Sequence, residues 1–429
     1  MFYLNLSKQS LFTNFRQYVS LFLVTLFGSF IILFTTYVSD GMLKSVKEKA
    51  LLYYGGEIQF IGGDSLAFYD FENRVEMVKP YFPKDVTYIE RINHDGNHTY
   101  LYYEGAYSKV RCIQGIDFTN PTEKNNFASF NYAQGNSDYT EGSHILLISE
   151  QIAQKLGVSA GDIITIQTND TKGSINTLNF TVQGIFIDSS MFGKYTAYAD
   201  IESLRQLGAY APGYDNRFAI SYNDRSPSKK EIVKLQESLS QKYNMYPLTD
   251  NKRAFYDVLE KDDSQKPIYA LITLDANIKD LGMITRAIKL IVLLITVILV
   301  AIIAIGIAST YRVIILKRTV EIGTYRALGM KTNGVRMVFI TEILLLLFTG
   351  FICGIVLALI SSKIISLFNF AFIPAFDVFL KEGHLAPVYS LWNTLKYLFV
   401  IIVTTILIVL FTIQKLIRLS PVKALATTN

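Results

Sequence analysis

The chain has 429 residues, half of them apolar, a net charge of +5, two cysteines, and 29 Phe and 27 Tyr against a single Trp. An apolar share this close to the globular average confines membrane character to particular segments. The small, dispersed positive charge argues against nucleic acid as a partner, and Cys112 and Cys353 fall in segments too different to form a disulfide framework.

Four uncharged runs are long enough to cross ~30 Å of hydrocarbon. They lie between Arg16 and Asp40, Lys289 and Arg312, Glu342 and Lys363, and Lys396 and Lys415. The first exceeds a signal-peptide core and has no small-residue cleavage site after it, so it reads as an uncleaved anchor. "DGMLKSVKEKALLYY" continues it at helical spacing, as "DANIKDLGMITRAIKL" does ahead of the second run.

Residues 41–282 alternate strand and helix signals. "GEIQFIGG" and "VTYIERINHDGNHTYLYYEG" read as strands joined by Gly- and Asn-containing turns. "HILLIS", "GDIITIQT", "LNFTVQGIFI", "YTAYAD" and "RFAISY" continue the strand pattern. Ser149, with Gly157, and Asp200 bound two short helices, and "SKKEIVKLQESLSQKY" forms a longer amphipathic one. The polar, turn-rich stretch 120–143 reads as a boundary between two subdomains.

Catalytic chemistry is not evident. There is no P-loop pattern and no nucleophile elbow. His94 and His98 in "HDGNH" lack a third metal ligand and read as part of a solvated turn; no metal or cofactor is assigned to this chain.

The loop from Arg312 to Arg336 carries six cationic residues against Glu321 alone, and the N-terminal segment and C-terminal tail are also basic. The positive-inside rule places both termini and this loop in the cytoplasm, with the large domain and the 363–396 connection outside. Within the loop, "VIILKRTVEIGTYRALG" reads as a continuation of the second span. Ile322, Tyr325 and Leu328 form one apolar face, and Arg318, Glu321 and Thr324 another. Gly323 leaves room for close approach, and Gly329 acts as a C-terminal stop. Two readings stand at this point: a helix lying on lipid, and one seated on a protein partner. In the third span Gly350 and Gly354 form a small-residue face, read as helix packing, including that of a dimer, or as ordinary glycine use. Glu342 lies about a turn inside that span, where it reaches the interface or pairs with Arg336.

The run "ASTYRVIILKRTVEIGTYRALGM" resembles the signature of the FtsX-like permease domain of MacB- and LolC-type ABC transporters. The matching positions are Thr310, Lys317, Arg318, Glu321, Ile322, Gly323, Arg326, Ala327, Leu328 and Gly329; Ser309 departs from the Asn of many relatives. Glu342 with Gly350 and Gly354, "SPVKALA" at 420–426, and "ILLISEQIAQKLGVSAGDIITI" with "FTVQGIF" resemble further parts of the family. The resemblance implies a membrane α-helical protein of four transmembrane helices with an inserted extracytoplasmic α+β domain. Its parts would be 1–40 with the first helix, 41–282 as a MacB-like core domain, and 283–429 as the permease domain. It also implies a coupling helix over 313–329, contacting a partner ATPase through Arg318, Glu321, Ile322, Gly323, Tyr325, Arg326, Leu328 and Gly329. ATP and Mg would be bound by that separate ATPase dimer, with a second permease subunit alongside. The implied task is lipoprotein release or related envelope export from the inner membrane; peptide or antibiotic efflux, and a non-transporting sensor, are the alternatives.

Overall fold

The computed structural model describes residues 2–13, 15–63, 68–69, 71–223, 225–261, 266–373 and 376–416. The 420–426 ending lies outside the described residues. Two units emerge: residues 1–42, 285–368 and 385–429 form the helical one, and 43–284 with 369–384 the sheet-containing one.

In chain order, α1 (Phe2–Thr13) is followed by α2 (Phe15–Tyr54), an unbroken helix of 40 residues. Its sequence has no proline, and its one αL residue, Gly55 with φ 82°, stands just past the end. Two guanidinium groups meet its last carbonyls: Arg91 Nη1 donates to Leu52 O at 2.7 Å and Arg217 Nη1 to Tyr53 O at 3.0 Å. Cations there satisfy orphan acceptors and complement the helix dipole.

The sheet-containing unit follows: β1 (Ile58–Gly63), β2 (Phe68–Tyr69), α3 (Phe71–Val78), β3 (Thr87–Asp95), β4 (Tyr100–Tyr103), β5 (Ala106–Lys109) and β6 (Cys112–Ile116). Next are α4 (Pro121–Ala128), β7 (Tyr132–Gly135), β8 (Ile145–Ser149), α5 (Glu150–Leu156), β9 (Ile163–Asn169), β10 (Ile175–Phe186), β11 (Thr196–Asp200) and α6 (Ile201–Gly208). The unit continues through β12 (Tyr214–Asp215), β13 (Arg217–Ser221), α7 (Lys229–Ser240), α8 (Lys252–Lys261), β14 (Ile268–Thr273) and α9 (Leu274–Asn277). Ser149 and Asp200 cap α5 and α6 as their spacing predicts, and Ser228 caps α7 within a full capping box with Glu231.

Among the described residues, twelve strands make one sheet in the order β14-β1-β13-β3-β6-β11-β8-β10-β9-β4-β5, with β7 also on β10; β2 and β12 pair separately. The expected boundary at 120–143 is not there. That stretch holds α4, and β7 is hydrogen-bonded to β10. Two large cores divide the unit differently. One gathers Ile58, Phe60, Phe218 and Leu271 from its two sequence ends, and the other Ile92, Leu146, Ile164, Val182 and Leu204 from its middle. The polar composition of 120–143 reflects an exposed edge instead. Among its residues, Glu123 is wholly buried against Arg91 at 2.6 and 2.8 Å. His94 is also corrected: it is buried at the end of β3, bonded to Tyr210 and Thr168, while the turn lies beyond it.

The second helical extension begins later than its sequence suggests, because α9 ends at Asn277 and Ile278 breaks the chain (φ −103°, ψ 30°) before α10 (Lys279–Lys317). Then come α11 (Thr319–Ala327), α12 (Thr332–Ser366), a 3-10 turn at Phe376–Phe379, and α13 (Leu391–Leu416). Among the described residues, four helices are long and apolar enough to cross a membrane: α2, α10, α12 and α13. The 369–384 segment, between the last two, belongs to the sheet-containing unit. There Lys49 Nζ meets Asp377 O and Oδ2, both at 2.8 Å, and Asp188 Oδ1 at 3.3 Å.

Candidate coupling site

The loop between α10 and α12 is not the continuous helix that its sequence suggests. Arg318 leaves helical geometry (φ −103°, ψ 19°), and α11 starts afresh at Thr319. The reason is where the Arg318 side chain goes. It is 3% exposed, and its guanidinium points back among the helices. Nη1 meets both oxygens of Glu342 on α12 at 2.8 Å and Tyr18 Oη on α2 at 2.8 Å. Nη2 donates to Ser10 Oγ on α1 at 2.6 Å, and Nε to Glu321 Oε2 at 2.8 Å. The group also lies 4.9 Å from the Phe339 ring centroid. A buried carboxylate is tolerable only when paired and hydrogen-bonded, and Glu342, fully buried, accepts from Arg318, Tyr18 and Ser10. Glu342 therefore pairs with Arg318 and not with Arg336, which donates to Asn333 at 3.4 Å. Ser7 Oγ to Val338 O at 2.9 Å and Tyr311 Oη to Phe339 O at 3.0 Å tie the same level of α12 to α1 and α10.

This geometry sorts the residues expected to touch a partner. Arg318, Ile322 and Gly323 are buried within the chain and are unavailable to one. Gly323 lies on the buried side of α11 with Ile322. Glu321 is partly exposed but spends one oxygen on Arg318. Arg326 is half-buried, with Nη1 on Thr332 Oγ1 at 3.2 Å. The expected apolar face also splits: Ile322 and Tyr325 turn into the helical core, whereas Leu328 is 80% exposed.

Leu328 is displayed by the way α11 ends. Gly329 has φ 89°, its N–H donates to Arg326 O at 3.1 Å, and the Met330 N–H reaches back to Tyr325 O at 3.0 Å. These are the paired bonds of a Schellman stop, which needs a left-handed residue where glycine has no steric penalty. Beyond the stop, Leu6, Tyr325, Leu328, Gly329, Met330, Lys331, Asn333 and Gly334 line an open groove of 640 Å³.

Gly350 and Gly354 face α2 of the same chain. A Cβ on Gly350 would lie 3.2 Å from Thr25 Cβ, and one on Gly354 2.1 Å from Ser29 Oγ and 2.9 Å from Leu26 O. Their role is intrachain packing, which removes the need for a dimer to explain them. The sequence held the matching signal in Thr25 and Ser29, themselves small and four apart; Tyr18 and Ser10 gave none, being an ordinary Tyr and Ser beside apolar residues.

The FtsX-like permease C-terminal family matches residues 293–421, a range that contains α11, every residue lining the groove except Leu6, and the Arg318, Glu321 and Glu342 ion pairs. The MacB-like periplasmic core domain matches residues 19–231. The chain belongs to the FtsX/MacB-type permease family. A solved structure of the periplasmic region of MacB from Actinobacillus actinomycetemcomitans is similar at 12% identity and a TM-score of 0.29, covering 54% of this chain and 95% of that one. No curated protein matches. Permeases of this family are membrane subunits of ABC transporters and work with an ABC-type ATPase. Among the described residues of this permease, no group of three or more His, Cys, Asp or Glu is placed to hold a metal ion.

Proposed function

We propose that this permease spans the membrane four times and passes the motion of a partner ATPase dimer to an extracytoplasmic sheet domain. In this reading the ATPase seats on the end of α11. The observation that carries it is Leu328, a large apolar side chain held almost fully in the open beside the 325–334 groove. It caps the end of a nine-residue helix that Arg318 ties to α1, α2 and α12. A helix braced in this way moves with its neighbours when pushed, so a load at Leu328 reaches the spans. The α2 and α10 helices then continue unbroken past the ends of the apolar runs. The cationic residues of 312–336 support a cytoplasmic face for the site. ATP and Mg belong to the ATPase in this scheme, and this chain carries no catalytic role. A second permease subunit completes the assembly.

The task is envelope export, with lipoprotein release the specific reading; the stretch 37–63 after the first span, which resembles releasing permeases, supports it. Leu328→Glu is the test. It should abolish co-purification with the ATPase while leaving permease abundance unchanged, because Leu328 contributes little to the core. Undiminished recruitment would remove α11 from the contact. Accumulation of unreleased lipoprotein on depletion of the permease supports the release reading; normal release with increased sensitivity to peptides or antibiotics overturns it in favour of efflux.

A further inference from the structure

At its β5 edge the sheet turns one face away from the core. Leu101, Ile166 and Leu178 pack inward from β4, β9 and β10. Alternate side chains leave a strand on opposite faces, so their neighbours point outward. The register sets these in two rows: Lys109, Tyr100, Gln167 and Thr177, then Tyr107, Tyr102, Thr165 and Asn179. All eight are at least partly exposed. The exposed Ile163 and Ile175 lie outside these rows, at the two ends of the β9–β10 ladder.

The three tyrosine rings stand 6.2 Å from one another, centroid to centroid, and Tyr107 is 54% exposed. They offer flat π faces with hydroxyls at their rims. Beside them the amides of Gln167 and Asn179 and the hydroxyls of Thr165 and Thr177 both donate and accept. Thr165 Oγ1 donates to Asn179 Oδ1 at 2.8 Å, which leaves the Asn179 amide N–H groups facing outward from that bond.

Charge on this face has one sign. Lys109 is the one ionic group in the two rows, and its Nζ lies 5.3 Å from the Tyr100 centroid. Lys155 of α5 brings a second ammonium to 5.9 Å from the Tyr107 centroid. Among the described residues no carboxylate forms an ion pair with either lysine. A platform of rings, amides and unpaired ammoniums complements a hydroxyl-rich ligand that carries acid groups. The C–H bonds of a sugar ring stack on the negative π face, its hydroxyls bond the amides, and its carboxylates meet the lysines.

We propose that this face binds an acidic polysaccharide, with Tyr100, Tyr102 and Tyr107 stacking on its sugar rings and Lys109 and Lys155 pairing with its carboxylates. The proposal is independent of the ATPase contact at α11.

The test uses the full chain in phosphatidylcholine nanodiscs, which present no sugar headgroup, titrated calorimetrically with hyaluronan octasaccharide, chitohexaose and poly-L-glutamate. Saturable binding of hyaluronan is expected, weakened by high salt. The double variants Tyr102→Ser/Tyr107→Ser and Lys109→Gln/Lys155→Gln should each weaken it at least tenfold with an unchanged unfolding midpoint. Tyr107→Trp, which keeps a ring in place, should retain it. Chitohexaose bound as tightly as hyaluronan overturns the acidic assignment. Poly-L-glutamate bound in preference assigns the face to an acidic protein segment and overturns the inference, as does the absence of saturable hyaluronan binding or its survival in both double variants.

Discussion

Arg318 and Glu342 hold each other through one guanidinium nitrogen and both carboxylate oxygens at 2.8 Å, with neither side chain meaningfully exposed. The pair joins the end of one candidate span to the inside of another, and Tyr18 and Ser10 bring α1 and α2 to the same point. The residue that looked like part of a docking face is thus the bolt behind it.

Removing either partner leaves a buried charge unpaired, which typically costs about 3–5 kcal/mol. Glu342→Ala and Arg318→Met should each sharply lower the yield of folded permease. The double variant Arg318→Met/Glu342→Leu should recover much of the loss, because it buries no lone ion. Detergent-extracted yield and thermal unfolding measure the cycle; additive losses would show that the two residues act separately.

Gly354→Leu should disrupt packing of α12 on α2 within one chain, since even a Cβ falls 2.1 Å from Ser29 Oγ. A Ser29→Gly background should partly relieve Gly354→Ala, whose added methyl meets that hydroxyl first; Leu26 O at 2.9 Å sets the remainder. The unfolding midpoint of each variant decides. A Gly354→Leu protein of normal stability that merely fails to dimerise would return the glycines to a subunit interface.

Lys49 fastens 369–384 to the sheet-containing unit through Asp377 and Asp188. Burial raises the Asp188 carboxyl pKa, and neighbouring Asp377 adds to the rise while Lys49 opposes it. Lys49→Met leaves these two acids facing each other. Hydrogen exchange in a peptide covering 376–385 should accelerate at least tenfold at neutral pH, and less in acid, where the raised Asp188 carboxyl takes up a proton. Identical exchange in both proteins would mean that buried Leu380 and its neighbours hold the segment without the lysine.

Asp215 is fully buried, and neither of its carboxylate oxygens has a hydrogen-bond partner. Desolvation, then the charge of Glu90, raise its pKa from 3.8 to about 7, against the pull of Arg74 and Arg205. Arg205 is already committed to Glu90, Glu202 and Tyr214 O. Because the folded protein binds this proton more tightly than the unfolded chain, stability falls as pH rises from about 4 to about 7 and the penalty is complete above that. The displacement corresponds to at most ~4 kcal/mol. Asp215→Asn should therefore stabilise the β12–β13 region at pH 8 and make no difference near pH 4. Exchange protection of residues 211–222 at the two pH values checks the sign.

The sequence by itself determined what short-range physics controls. Uncharged runs located the four long apolar helices, alternation located most strands, and Ser149 and Asp200 announced the helix starts that they cap. Glycine after "RAL" marked a stop, because a left-handed position there favours that residue. Only the tertiary structure decided which charges meet. Glu342 has Arg336 nearby in sequence and Arg318 24 residues away, and it takes the distant one because helix packing aims it there. The same holds for Gly350 and Gly354, whose spacing signalled close packing but not against which helix, and for Ser7, bonded to Val338 across 331 positions. Periodicity reports which face of an element is apolar. It carries no information on what that face meets, so Arg318 and Gly323 looked like surface until the neighbouring helices covered them.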